Sequence, residues 1–227
     1  MIAAISLSAL NNAAPAPGTS PAASGPASGA VEIPHFLQQR FPSTDWSQAD
    51  PAISQALSGG PSKDGIPSIN EPQFEPVASF KHPDEVQAIL VQGETETKSY
   101  PYNILVWHEI VNDTIDGSPI SVTFCPLRGS AAVFDSVLPG GETTTFGVSG
   151  GLLESNMIMF DRNTETLWQQ STGKALAGEH YPNQLQLHSF QLLRVGHTHV
   201  AAAWLQLEDG RRYETIVDGQ VFDPETE

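Results

Sequence analysis

Two residues stand out for chemistry: His108 and Cys125, the second being the only cysteine in 227 residues. They flank Asp116-Gly117, a dipeptide that favours the central positions of a tight hairpin turn. A turn centred there sets Ile110 against Thr123, Glu109 against Phe124, and His108 against Cys125. Directly opposed residues share a face, with Cβ atoms about 4.5–5.5 Å apart. That range allows a Cys–His pair or two ligands of one metal ion. A soft thiolate with an imidazole suits copper or zinc, and a redox role follows only for copper. Three readings are open: a small buried hydrophobe beside a satisfied core histidine, a metal site, or a redox or nucleophilic thiol. The geometry depends on register, because a one-residue slip moves one partner to the other face. Strict alternation places Glu109 on the face opposite His108, so it joins as base or ligand only through a bulge. Arg128 closes a Cys-Pro-Leu-Arg run, where it would lower the thiol pKa or hold an anion beside it. With one cysteine, no intramolecular dithiol cycle and no disulfide framework can form.

Other constellations are thinner. His197 and His199 share a face if they lie on a strand, and His180 or His188 would add a third nitrogen. Gly147–Gly151 formally fits G-x-S-x-G, but the apolar, β-like run that follows is not the helix a nucleophile elbow needs, and a glycine-rich turn is the plainer reading. Asp161-Arg162 reads as a strand-end ion pair orienting the loop into Trp168. The sequence holds no P-loop, no dinucleotide fingerprint and no H-E-x-x-H.

The elements that position these residues read as short strands between turn signals. Strands are expected at 86–91, 95–100, 104–111, 120–125, 131–134, 143–148, 156–160, 184–193, 199–207 and 213–217. A short helix is expected over 167–177, and a helical turn near 52–57. Many short strands at this spacing predict a mainly β fold: a single sandwich or barrel-like domain of short antiparallel strands with few short helices. Residues 63–227 form the main domain, residues 31–62 an extended arm packed on it, and residues 1–30 a signal-like segment followed by an Ala/Pro/Gly/Ser linker.

Composition narrows the function classes. Twenty-six acidic residues against ten basic ones give a formal charge of -16. Nucleic acid is an unexpected partner, because phosphate binding needs a Lys/Arg surface. An acidic surface suits a cationic partner instead, so a protein partner or assembly is open. No apolar run approaches the roughly 18 residues that span a membrane. Residues 2–10 are apolar and 11–18 Ala-rich, which resembles the end of a secretory signal without its basic start.

Several motifs taken together resemble domain-of-unknown-function family 3179: WHEIVND (107–113), TFCPL (123–127), FGVSG (146–150) and MFDRNTETLWQQ (159–170), with TDWS (44–47) and SGGPSKDGIPSI (58–69) upstream. The resemblance covers about residues 44–178. It implies a prokaryotic protein, often exported to the periplasm or beyond, and no established activity. The family commonly reads C-P-L-C where this chain has Cys125 to Arg128, so any role of the second cysteine is absent here. The expected function is an extracytoplasmic β domain with a copper or zinc site at His108 and Cys125. The alternative is a non-catalytic structural or interaction module with a degenerate site.

Overall fold

In a computed structural model, residues 31–74 and 86–194 are described with their side chains, and residues 215–217 and 220–222 as backbone. In chain order they form α1 (His35–Arg40), a 3-10 turn (Pro51–Gln55), β1 (Leu57–Ser58), β2 (Ile69–Asn70), β3 (Gln87–Gln92), β4 (Thr97–Pro101) and α2 (Tyr102–His108). Then follow β5 (Ile110–Ile115), β6 (Ser118–Cys125), β7 (Ser130–Asp135), β8 (Phe146–Leu153), β9 (Asn156–Asp161), β10 (Leu167–Gln169) and β11 (Ala175–Ala177). The last are β12 (Gln191–Arg194), β13 (Thr215–Val217) and β14 (Gln220–Phe222). The fold is mainly β, sandwich-like, and no sheet closes into a barrel among the described residues.

A four-stranded sheet, β2-β5-β6-β7, forms the centre and buries both faces. Alternation along β6 shows why. Ile120, Val122 and Phe124 enter a core shared with Ile89, Val91 and Tyr100 of the three-stranded sheet β12-β3-β4, and with Ile104 and Leu105 of α2. Ser121, Thr123 and Cys125 point the other way. Cys125 joins Ile110 and Phe134 in a second core against Val148, Met159 and Trp168 of the five-stranded sheet β1-β8-β9-β10-β11. The outer face of that sheet carries a third core, where Leu37, Phe41 and Ile53 of residues 31–58 cover Ile158, Phe160 and Leu176.

The Asp116-Gly117 turn forms as its chemistry predicts. Both residues have positive φ, 49° and 78°. The ladder runs from Ile115 against Ser118 to Ile110 against Thr123, the expected register. It stops there, because 102–108 is a helix and not the first half of a strand. Pro101 supplies the helix start, and burial falls on Ile104, Leu105 and His108, a helical i, i+1, i+4 face. An apolar run of this length cannot be assigned by periodicity alone.

The expected helix over 167–177 is instead two strands, β10 and β11, around a turn at Gly173 (φ 69°). β9 claims Leu167–Gln169 as ladder partners, which overrides helix propensity. The G-x-S-x-G run is no turn. It lies within β8, where the register with β9 shifts between Val148 and Gly151. Gly150 (φ 72°) lets the backbone pass Pro61, whose carbonyl would lie 2.0 Å from an added Cβ. Of residues 184–193 only Gln191 onward is a regular strand. The expected strand over 199–207 lies outside the described residues, as do His197 and His199.

Candidate functional site

His108 ends α2, so the expectation that a hairpin sets it opposite Cys125 is corrected: in the ladder Cys125 pairs with Ser130 of β7. Glu109 caps the helix with a left-handed backbone (φ 59°), a conformation uncommon for a residue with a side chain. Its carbonyl accepts the Phe124 amide at 2.8 Å, which holds the end of α2 beside the end of β6. Alternation breaks at that cap, so the face of Glu109 cannot be read from strand parity.

The two candidate ligands engage different partners. His108 is buried, and its Nδ1 lies 2.6 Å from the carbonyl of Pro67, on the chain entering β2. Burial lowers its pKa, with the Pro67 contact opposing. Cys125 is buried in the second core, its Sγ 3.9 Å from the carbonyl of Ser155 in the β8–β9 turn. Arg128 reaches the same turn, donating to the Glu154 carbonyl at 2.5 Å. Among the described residues no three of His, Cys, Asp or Glu are grouped to hold a metal ion.

Two polar residues of the quoted motifs, Asn112 and Gln170, brace one sheet against another. Asn112 donates Nδ2–H to the Phe146 carbonyl and to Asn70 Oδ1, both at 2.9 Å. Its Oδ1 accepts the Phe146 amide at 2.8 Å and the Ser121 hydroxyl at 2.7 Å. The side chain thus acts as a one-residue strand partner for the start of β8. Gln170 makes the matching brace at the other end. Its Oε1 accepts from Ser130 Oγ (2.9 Å) and Asn156 Nδ2 (2.8 Å), while Nε2 donates to Thr123 Oγ1 (2.9 Å). Thr123 and Gln170 are fully buried, and every one of these groups is satisfied.

Asp161 is fully buried and orients the loop as expected, but through hydrogen bonds. It accepts from Trp168 Nε1 (2.9 Å) and from the Thr164 amide (2.7 Å). Arg162 pairs with Asp64 through two bonds of 2.8 Å, tying residues 59–68 to the end of β9. Ser149 Oγ donates to the Ile158 carbonyl, inside the sheet, which leaves no exposed nucleophile there. His180 stacks on Trp168 with ring centroids 5.9 Å apart, and His188 Nδ1 lies 2.9 Å from Asp135 Oδ1; the His197 and His199 pair that either was expected to join lies outside the described residues.

Sequence reasoning missed the end of α2. Trp107 is half exposed (50%) and Val106 beside it is 39% exposed. Glu109 is half-buried, and burial pushes its carboxyl up to about 7. No strand-based reading reveals this, because it follows from the helix and its cap. The braces left a fainter signal: polar Asn112, Ser121 and Thr123 occupy the parity of buried Ile110 and Cys125. An open cleft of about 390 Å³ lies beside Asn112, lined also by Asn70, Glu71, Ser136 and Thr144, but the hydrogen bonds of Asn112 and Ser136 on its wall are satisfied internally.

The family described as "Protein of unknown function (DUF3179)" matches residues 63–204. The match starts later and runs further than the motifs suggested. No curated protein and no solved structure matches the chain.

Proposed function

Since the chain belongs to domain-of-unknown-function family 3179, we propose that it is a non-catalytic interaction module working outside the cytoplasm. One observation carries the reading. Asn112, Thr123, Asp161 and Gln170, the polar residues of the quoted motifs with the strongest bonding, are spent on internal braces and are at most 6% exposed. A motif that maintains a scaffold keeps its residue types without presenting them to a substrate. The apolar start and the linker over 11–30 support a position outside the cytoplasm. Metal analysis of protein purified without an affinity tag tests the module. The expected result is no stoichiometric metal in wild type or Cys125→Ser. Near-stoichiometric metal that Cys125→Ser loses overturns it. Cell fractionation with mass spectrometry of the N-terminus tests location: a cytosolic chain with an intact start would sink that part.

A second reading keeps His108 and Cys125 as ligands of copper or zinc, with Arg128 adjusting the local charge and redox work following for copper. The Phe124–Glu109 backbone bond supports it, because each candidate ligand is one residue beyond a bonded pair. A histidine with lowered pKa also presents the neutral imidazole that metals bind. The metal analysis decides between the two.

A further inference from the structure

We propose that the cleft beside Asn112 binds a small amino sugar, a hydroxylated ring carrying one ammonium group. Neither His108 nor Cys125 lines it, so the site stands under either reading of those two residues.

The cleft exists because the chain leaves the central sheet abruptly. β2 pairs with β5 at only two positions, Ile69 with Val111 and Asn70 with Asn112. At Glu71 the backbone turns left-handed (φ 53°), immediately before Pro72. A residue with a side chain seldom adopts that conformation, and a following proline pushes it toward extended backbone instead. Backbone held in this way gathers at active sites and ligand clamps. The cleft of about 390 Å³ is lined by residues 70–73, by 143–145 ahead of β8, by the far end of β5 and by the start of β6. Small-molecule sites occupy roughly 300–1,000 Å³, and the low end of that range suits a single ring.

Both walls are fixed without a ligand. On one side, Asn70 Oδ1 accepts from Asn112 Nδ2 at 2.9 Å. On the other, Thr144 Oγ1 donates to Asn163 Oδ1, Asn163 Nδ2 donates to the Thr143 carbonyl, and the Arg162 amide donates to the Thr145 carbonyl, each at 3.0 Å. A site already rigid loses little binding energy to ordering.

The lining selects the ligand. Pro72, Pro119 and Ile120 give it apolar surface, which suits the C–H face of a sugar ring. Around them, the side chains of Gln73, Thr143 and Thr145 form no hydrogen bond among the described residues, and Asn70 Nδ2 donates to none of them. These amides and hydroxyls offer both donors and acceptors to ring hydroxyls. Charge sets the sign of the ligand. Among the described residues no lysine, arginine or histidine lines the cleft, so a phosphate or carboxylate meets no counter-charge there. Two carboxylates do line it. Asp113 is committed: its Oδ1 accepts from Lys98 Nζ (3.1 Å) and the Thr114 amide (2.7 Å), and its Oδ2 from the Tyr100 hydroxyl (2.8 Å). Glu71 is exposed and forms no hydrogen bond or ion pair through its carboxylate among the described residues. One free carboxylate beside hydroxyl-binding groups matches one ammonium on a hydroxylated ring.

Titration of the full chain with D-glucosamine, followed by the backbone amide signals in nuclear magnetic resonance, tests the site. D-glucose and D-glucose 6-phosphate are the neutral and anionic comparisons. Glucosamine should move the amides of residues 70–73 and 143–145 saturably, and bind roughly 2- to 5-fold tighter than glucose, the range of a partly exposed charge pair. Glucose 6-phosphate should bind more weakly than glucose. Glu71→Gln should bring glucosamine down to the glucose level. Thr143→Trp, at the exposed rim, should fill the cleft and weaken both sugars more than about 10-fold. Glu154→Gln, in the β8–β9 turn, should change nothing, and the same spectra report whether each variant is folded. Absent or scattered shifts with glucosamine would overturn the proposal. So would a glucosamine preference that survives Glu71→Gln, or a sugar phosphate that binds as tightly as glucosamine.

Discussion

Asn112 replaces a strand. Its amide gives the start of β8 both a donor and an acceptor, in the space where a backbone partner would otherwise lie. Replacing it with alanine leaves the Phe146 amide and carbonyl without their partner in a buried setting, while the Ser121 hydroxyl keeps Ser136 Oγ at 2.8 Å. Each orphaned group costs about 1–3 kcal/mol, partly recovered by entering water. Asn112→Ala should therefore lower stability by about 2–4 kcal/mol, read as a fall in urea midpoint at unchanged slope. Asn112→Asp, protonated at low pH, keeps the acceptor and one of the two donors, and should fall between alanine and wild type there. Glu109 works in the opposite sense. Its folded pKa, about 7, lies above the usual carboxyl value, so the folded state favours the neutral form. Stability from this group is present below the unfolded pKa and declines as pH rises through about 7. Glu109→Gln should stabilise the protein at pH 8 by on the order of 1–3 kcal/mol, with the gain vanishing near pH 4 in denaturation curves.

At the scale of elements, residues 31–58 behave as a lid over the five-stranded sheet, and their attachment is apolar first. Phe41 is fully buried and meets Phe160 edge-on at 5.1 Å. Lys63 lies over both rings, 5.0 and 4.8 Å from their centroids, while pairing with Glu165. Arg162–Asp64 is bidentate but about one-third exposed on both sides. Phe41→Ala should cost about 3–5 kcal/mol, whereas Arg162→Ala should cost under about 1 kcal/mol because solvent screens the pair. Thermal midpoints of the two variants check the ranking; equal losses would mean that the ion pair, not the core, holds the lid. α2 is the other element that matters. It inserts between β4 and β5, buries Ile104 and Leu105, and turns Trp107 outward.

At the scale of the whole molecule, three sheets and the lid share three cores, and the central sheet has no solvent face. That arrangement explains the composition of β6, where small polar residues on one face serve as sites for braces. The surplus acidic charge acts against the compact state through self-repulsion. Raising ionic strength from about 0.02 M to 0.5 M shortens the Debye length several-fold, and the thermal midpoint should rise. A midpoint that falls with salt would mean that exposed ion pairs outweigh the repulsion.

What the sequence determined by itself was local and periodic. Alternation and turn residues specified a mainly β chain, the Asp116-Gly117 hairpin and its register, because those signals act over a few residues. Motif wording was enough to place the family. The helix at 102–108 and the strands at 167–177 were decided by tertiary structure, since each segment took the form its neighbours could bury or pair. The candidate site divides along the same line. The sequence singled out His108 and Cys125 by residue type. Only the tertiary structure assigned one to the Pro67 carbonyl and the other to a core, and left Trp107 exposed, because a helix and its cap change direction in a way strand parity cannot follow.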